Sequence, residues 1–215
     1  VGVVIPARNE EGLIGGVLSD IPSYVDKVIV VNDGSTDSTD EVAREYSNEK
    51  YELTILQNNG QGVGSSIDRG HQELLNQYEN PFISVVMAGD GQMDPEDMEN
   101  LLQPIISGAA DYSKGDRFIH PQGVSNMPII RRLASQILAF FTTLAAGQRI
   151  SDPQCGYTAT SHEVIKSWDW NKSWKGYGYP NYWLINLAKG SWRIVHVPVK
   201  SIYGSETSAI KNLSF

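Results

Sequence analysis

Four short runs rich in β-branched residues succeed one another along the first part of the chain: VGVVI (1–5), KVIVVN (27–32), ELTIL (52–56) and FISVVM (82–87). Segments with helical start signals lie between them. Such alternation selects βαβ units, because two parallel strands need a crossover that returns the chain to the same end of the sheet. The runs are apolar on both faces, so helices are expected on both sides of a mostly parallel sheet, giving an α/β fold in three α/β/α layers.

The helix signals are specific. Ser38 and Glu41 have capping-box spacing, while Asp94, Pro95 and Asp97 supply an N-cap, a proline at N1 and an acidic first turn. Residues 127–148 carry Ile130, Leu133, Ile137, Phe140, Phe141 and Leu144 at helical spacing. A stripe of that kind is ordinarily core. Beyond it, GYTATS, YWLINLAKG and WRIVHVPVK read as strand, helix and strand, and all five tryptophans fall between Trp168 and Trp192. No linker, repeat or low-complexity tract interrupts the 215 residues, so one domain is expected.

Composition narrows the function classes. Lys+Arg 17 against Asp+Glu 25 gives a formal charge of −8, which argues against a general attraction to nucleic acid or anionic lipid, so any bound anion needs a local site. No run approaches the roughly 18 consecutive apolar residues of a membrane span, and the chain reads as an ordinary soluble domain. The single cysteine, Cys155, cannot form an internal disulfide, which fits a reducing cytosol. Its sequence neighbours include no cation or histidine, so a packed role is expected. The four histidines have no zinc-ligand spacing. No leader is visible, yet the chain opens directly on a strand and stops without a helix or cap. The expectation is therefore a chain trimmed at one or both ends, part of a longer protein that can be anchored.

Ligands of open parallel sheets sit beyond the carboxyl ends of the strands, and the polar clusters fall there: PARNE, DGSTD, NNGQG and GDGQMD follow the four strands in turn. Individually Asn9, Asp37 and Asp94 can be helix caps and the glycines turns. Asp33 is different, since it ends a strand well before the capping box. A dinucleotide fingerprint fails, because GQGVG (60–64) has the wrong spacing and the first strand is followed by Pro6. A Walker loop fails for want of Gly-Lys-Ser/Thr, and a nucleotidyltransferase for want of a glycine-rich, lysine-bearing loop after Ile5.

Together, VVIPARNEEGLIGGVL, VDKVIVVNDGSTDSTDEVA, NNGQGVGSSIDRG, MAGDGQMDPEDM, DYSKGDRF and SDPQCGYTA resemble family 2 glycosyltransferases, most closely the branch of dolichyl-phosphate mannose synthase and related polyprenyl-phosphate sugar transferases. The resemblance covers nearly the whole chain. It implies a glycosyltransferase A-type, Rossmann-like fold, with a nucleotide-sugar half over about 1–112 and an acceptor half over about 113–215. It implies that Pro6, Ala7, Arg8 and Glu10 surround the base and ribose, that Asp33 bonds to the base, and that Gly60, Gly62, Gly89, Asp90 and Lys211 complete the nucleotide-sugar site, with Tyr203 and Ser208 as lesser candidates. Where relatives often have lysine in the third loop this chain has Gln61, leaving Gly60 and Gly62 to act through close backbone approach.

The resemblance also implies Mg²⁺ or Mn²⁺ at Asp90 and Gln92. Relatives usually carry Asp-x-Asp there, and Ala88 replaces the first acid. Three readings stay open: weaker metal binding, a subgroup that never used that ligand, or a weakened catalyst. Few protein ligands suffice for octahedral Mg²⁺ when waters and diphosphate fill the rest. Members acting on hydroxyls often use a Glu-Asp pair where this chain has YGYPNYW (177–183), and Asn181 cannot take up a proton. That favours a phosphate acceptor, already anionic, over a hydroxyl. Candidate acceptor contacts are Lys114, Arg117, Arg131, Arg132, Gln154 and Tyr157, with Ile137, Phe140, Phe141 and Leu144 available to guide an isoprenoid tail. Asp90, Asp152 and Arg117 form the candidate catalytic set, Asp152 as fallback base.

The expected activity is inverting, metal-dependent transfer of a sugar from a UDP- or GDP-sugar to a polyprenyl or dolichyl phosphate, at the cytoplasmic face of a membrane. Transfer to a glycan or other hydroxyl, and a non-catalytic nucleotide-sugar-binding module, are the alternatives.

Overall fold

The computed structural model describes residues 1–46, 50–124 and 127–202. The expected strands form as β1 (Gly2–Ala7), β2 (Lys27–Asn32), β3 (Glu52–Gln57) and β4 (Ile83–Val86), joined by β5 (Tyr112–Asp116), β6 (Thr158–Ser161) and β7 (Ile194–Pro198). They make one seven-stranded sheet in the order β3-β2-β1-β4-β6-β5-β7. The pairs β1–β2, β2–β3, β1–β4 and β5–β7 are parallel, and β6 runs antiparallel to both its neighbours.

The period of two in the strands sorts their side chains into layers. Val3, Ile5, Val28, Val30 and Val85 pack in one core cluster with Ile14, Leu18, Ala43, Met98 and Leu101. These come from α1 (Ile14–Ser19), α2 (Thr39–Glu45) and α4 (Met98–Ile106). Val4, Ile29, Val31 and Val86 face the other way, onto Ile67 and Leu74 of α3 (Val63–Gln77), Val164 and Ile165 of α6 (His162–Ser167) and Leu184 and Leu187 of α7 (Tyr179–Lys189). The crossing of α3 over β1 is tight at Gly70, where a Cβ would lie 2.2 Å from a Val4 methyl. On this side the tryptophans gather, Trp168 stacking on Trp183 at 4.1 Å between ring centres.

Three expectations need correction. α2 starts where foreseen, but Ser38 makes no side-chain cap bond, so the Ser38/Glu41 capping box does not close. Asp37 does that work, accepting from Thr39 N at 3.1 Å. Asp94, by contrast, caps as expected, accepting from Glu96 N at 3.1 Å. The stripe in 127–148 does form a helix, α5 (Ile129–Ala146), but its large apolar residues face outward: Ile130 is 83% exposed and Phe140 60%. Among the described residues α5 is also long and apolar enough to cross a membrane, against the expectation that no segment is. Arg131, Arg132, Ser135 and Gln136 interrupt the run in the sequence without making the eighteen-residue helix polar.

Candidate active site

The carboxyl ends of β2, β1 and β4 lie side by side, so the loops after them share one edge of the sheet. The first two loops are laced together. Asn9, with φ +57, accepts from Thr36 N at 2.8 Å and donates its own N–H to Ser35 Oγ at 3.0 Å. Glu10 N donates to Thr39 Oγ1 at 2.8 Å, and the Glu11 carboxylate accepts from Ser38 N at 2.9 Å. Pro6 and Ala7 are buried at the end of β1, Arg8 is exposed and Glu10 is half-buried, which puts those four candidates at the rim of the first loop.

Asp33 directly follows β2 and is 5% exposed. Its carboxylate accepts from Asn58 Nδ2 at 2.8 Å and Gly62 N at 3.0 Å, so it ties the second loop to the third. A carboxylate offers about four acceptor positions, which leaves room for a donor from a ligand ring. Asn58, 1% exposed and also bonded to Ser66 Oγ at 3.0 Å, is a part of this site that sequence reasoning passed over. Its only signal was an amide at a strand end. Gly60 lies against Gly34, where a Cβ would be 3.0 Å from Gly60 N. Gly62 has φ +101, and a Cβ on it would sit 2.5 Å from the Lys175 carbonyl.

That carbonyl belongs to a strap, residues 173–178, that closes over the start of α3 and accepts from Gly64 N at 2.9 Å. Beneath the strap Tyr179 donates to Asp68 Oδ1 at 3.0 Å. Burial raises the Asp68 carboxyl to about 7, against the bonds from Ser173 and Tyr179 and the charge of Lys175. The folded state thus keeps its proton longer than the unfolded chain does, so stability from this group falls as pH rises from about 4 to about 7 and is then level. Asp68→Asn still accepts from Tyr179 and cannot ionise. Its stability relative to the parent is expected to improve by about 2 kcal/mol between pH 5 and pH 8, read from urea midpoints, whereas parallel pH profiles would contradict the assignment.

The fourth loop holds Asp90 and Gln92. Asp90 Oδ1 accepts from Gln92 N at 3.1 Å, and Gly91 at φ +69 makes the turn. Gly89 N donates to the Pro6 carbonyl at 3.1 Å, and a Cβ at Gly89 would meet the Ala7 Cβ at 3.1 Å, so this loop and the first approach closely. Ile202 N donates to the Gln92 carbonyl at 3.0 Å, which fastens the chain leaving β7 to the same loop. Among the described residues no three acidic, histidine or cysteine groups gather to cage a metal. Asp90 and Gln92 offer two oxygen donors on one turn, a set that fits a hard divalent cation sharing its remaining positions with phosphate and water.

On the acceptor side the charged residues are internal. Arg117 pairs with Asp152 through Nε at 2.7 Å and Nη2 at 2.9 Å, and its backbone N–H adds a third bond at 3.1 Å. Burial alone would raise the Asp152 carboxyl, but the hydrogen bonds and charge of Arg117, with Lys114 nearby, hold it below the ordinary carboxylate range. Lys114 has no exposed surface and donates to the Cys155 carbonyl; burial lowers its ammonium, opposed by Asp152 and Asp116. Asp116, equally buried, accepts from Phe118 N at 2.9 Å and from the Ser151 hydroxyl, with His196 Nδ1 at 3.8 Å. Asp116, Ser151 and His196 were not foreseen in this cluster.

These placements revise several expectations. Lys114 and Tyr157, the latter 1% exposed in the core, present no surface to an acceptor. Asp152 is a buried partner of Arg117 and not an open base. Arg131, Arg132 and Gln154 are exposed. Cys155 is buried, and burial raises its thiol, in keeping with a packed role. Asn181 lies in the first turn of α7. Lys211, Tyr203 and Ser208 lie outside the described residues.

The sequence profile of Glycosyl transferase family 2 matches residues 2–168. A UDP-N-acetylglucosamine–dolichyl-phosphate N-acetylglucosaminyltransferase of Methanococcus voltae is 31% identical over 216 residues, covering 94% of this chain and 85% of that protein. A dolichol-phosphate mannosyltransferase of Pyrococcus furiosus is 30% identical over 178 residues, 80% of this chain and 49% of its own. Among solved structures, glucosyl-3-phosphoglycerate synthase of Mycobacterium tuberculosis, in complex with Mn²⁺, UDP and glucosyl-3-phosphoglycerate, superposes with a TM-score of 0.67 at 20% identity, covering 95% of this chain and 72% of that one. That likeness shows the glycosyltransferase A-type fold. With the profile spanning most of its length and a relative above 30% identity across nearly all of it, this chain belongs to glycosyl transferase family 2 and is a glycosyltransferase.

Proposed function

We propose that the enzyme transfers a sugar, with inversion, from a nucleotide diphosphate sugar to a polyprenyl phosphate at the cytoplasmic face of a membrane. The reading is carried by the state of Asp152. A carboxylate locked in a two-pronged pair with Arg117 and held below its usual pKa is a poor proton acceptor, so it does not serve an alcohol nucleophile. A phosphate monoester, with a second pKa of about 6, arrives already ionised and needs orientation more than deprotonation. The names of the dolichyl-phosphate relatives support the same acceptor, and that of the Methanococcus voltae enzyme favours a UDP-sugar over a GDP-sugar.

In this reading Asp33 and the backbone of the first and third loops bind the nucleoside, and the exposed Arg131, Arg132 and Gln154 meet the acceptor phosphate. Arg117 is kept in place by Asp152 behind it. Asp90 and Gln92 would hold Mg²⁺ or Mn²⁺, which when bound supplies Lewis-acid neutralisation of the departing diphosphate.

The test is transfer from UDP- and GDP-sugars, with Mg²⁺ or Mn²⁺, to a polyprenyl phosphate or to soluble glycans. Product on the lipid phosphate with inverted anomeric configuration, lost on chelation, is the expected result. Product confined to hydroxyl acceptors would overturn the acceptor assignment.

A further inference from the structure

The glycines of GQGVG (60–64) look like a cradle for phosphate, yet the structure gives them another occupant. The N–H groups of Gly64 and Ser65, in the first turn of α3, are those a helix start would offer to an anion. Both donate to the Lys175 carbonyl, at 2.9 and 3.4 Å. The N-cap is Gly62, which has no side chain to do this. A Cβ at Gly64 would lie 2.0 Å from the Trp174 carbonyl oxygen and 2.8 Å from the Tyr179 ring. The loop is thus shaped to receive the strap over 173–178, and its glycines answer to backbone that arrives from far along the chain.

Gly62 faces two ways. Its N–H bonds the Asp33 carboxylate at 3.0 Å, and its carbonyl accepts from the Asn58 amide at 3.4 Å, the same amide that bonds Asp33. A glycine at φ +101 has many other conformations open to it, so the pressing contact with the Lys175 carbonyl selects this one. The strap itself is anchored at both ends. Trp168 Nε1 donates to Ser173 Oγ at 2.8 Å, and Tyr179 donates to Asp68 Oδ1 at 3.0 Å. Tyr179 is 4% exposed and Asp68 7%, so this second bond is made where burying polar groups is costly and a directional contact is correspondingly strong.

We propose that Asp68 and Tyr179 are positioning residues for the donor nucleotide: their bond seats the strap, the strap fixes Gly62, and Gly62 orients Asp33 toward the nucleoside. Both act through the backbone that lies between them and Asp33. The inference rests on the proposed nucleoside site at Asp33 and extends it to residues on α3 and α7.

The test is titration calorimetry of the 215-residue protein and its variants with UDP and with GDP, each with Mn²⁺. Tyr179→Phe is expected to weaken whichever nucleotide the parent binds by about tenfold, with the number of sites per chain unchanged. Asp68→Leu should match it, and serves as the second variant should Tyr179→Phe fold poorly. Asp68→Asn still accepts from Tyr179 and should stay within about twofold of the parent, even though its stability differs. A merely structural role would lower the number of competent sites and leave their affinity alone, which would overturn the inference. Asp33→Ala separates the two readings. If it binds poorly while Tyr179→Phe and Asp68→Leu bind like the parent, the nucleoside site stands and the positioning role falls. If it binds like the parent, or the parent binds neither nucleotide, the nucleoside assignment falls and this inference with it.

Discussion

Asp90→Ala is expected to lower transfer by roughly 10²- to 10³-fold, the loss associated with removing one electrostatic stabiliser of a developing charge. Asp90 sits on a half-exposed turn, and its bond to Gln92 N at 3.1 Å is a local one. Losing such a bond costs about 1 kcal/mol, so the variant should melt close to the parent. The pairing of intact fold with lost turnover is the informative outcome. It is checked by single-turnover kinetics across a Mn²⁺ titration beside thermal unfolding. A variant that keeps the parental rate at every metal concentration would remove Asp90 from the proposed site, and with it the proposed role of the fourth loop.

Arg117→Ala should fail in a different way. Asp152 has no exposed surface, and removing its partner strands a buried carboxylate, which costs about 3–5 kcal/mol. The double variant Arg117→Ala/Asp152→Ala removes both charges and should recover much of that loss, though not transfer. Urea unfolding of the parent, the two single variants and the double variant measures the coupling. Equal stability of the single and double variants would mean that the pair is not the buried unit described.

The parts of the fold legible in the sequence are those built by apolar alternation. β1, β2, β3 and β4 were readable because their β-branched residues pack on both faces, and the loops after them because polar residues collect at strand ends. β5 was not readable as a strand: Tyr112–Asp116 is wholly buried yet contains Lys114 and Asp116. Only tertiary partners far along the chain, Cys155, Ser151 and His196, make those charges tolerable inside. The same reason hid the Asp116 cluster and made Lys114 look like an open acceptor contact. For α5 the period was readable and the direction was not, since a helical stripe specifies a face without saying whether protein or something else lies against it. At the candidate site, the positions of Asp33, Asp90 and Gln92 after strands were readable and their proposed roles come from the resemblance, whereas Asn58 and the strap at Lys175 emerge only when α3 and the chain near α7 come together.

The antiparallel ladder between β4 and β6, with Ser84 opposite Thr160 and Val85 opposite Ala159, stitches the strand that leads into Asp90 directly to the strand that follows Asp152. A hinge opening along this seam would have to break sheet hydrogen bonds, so breathing during turnover falls to the surface loops. For protein engineering, exchanging whole halves between two such enzymes would cut through a shared ladder. Grafting loops at the carboxyl edge offers the gentler way to change which sugar or carrier is handled.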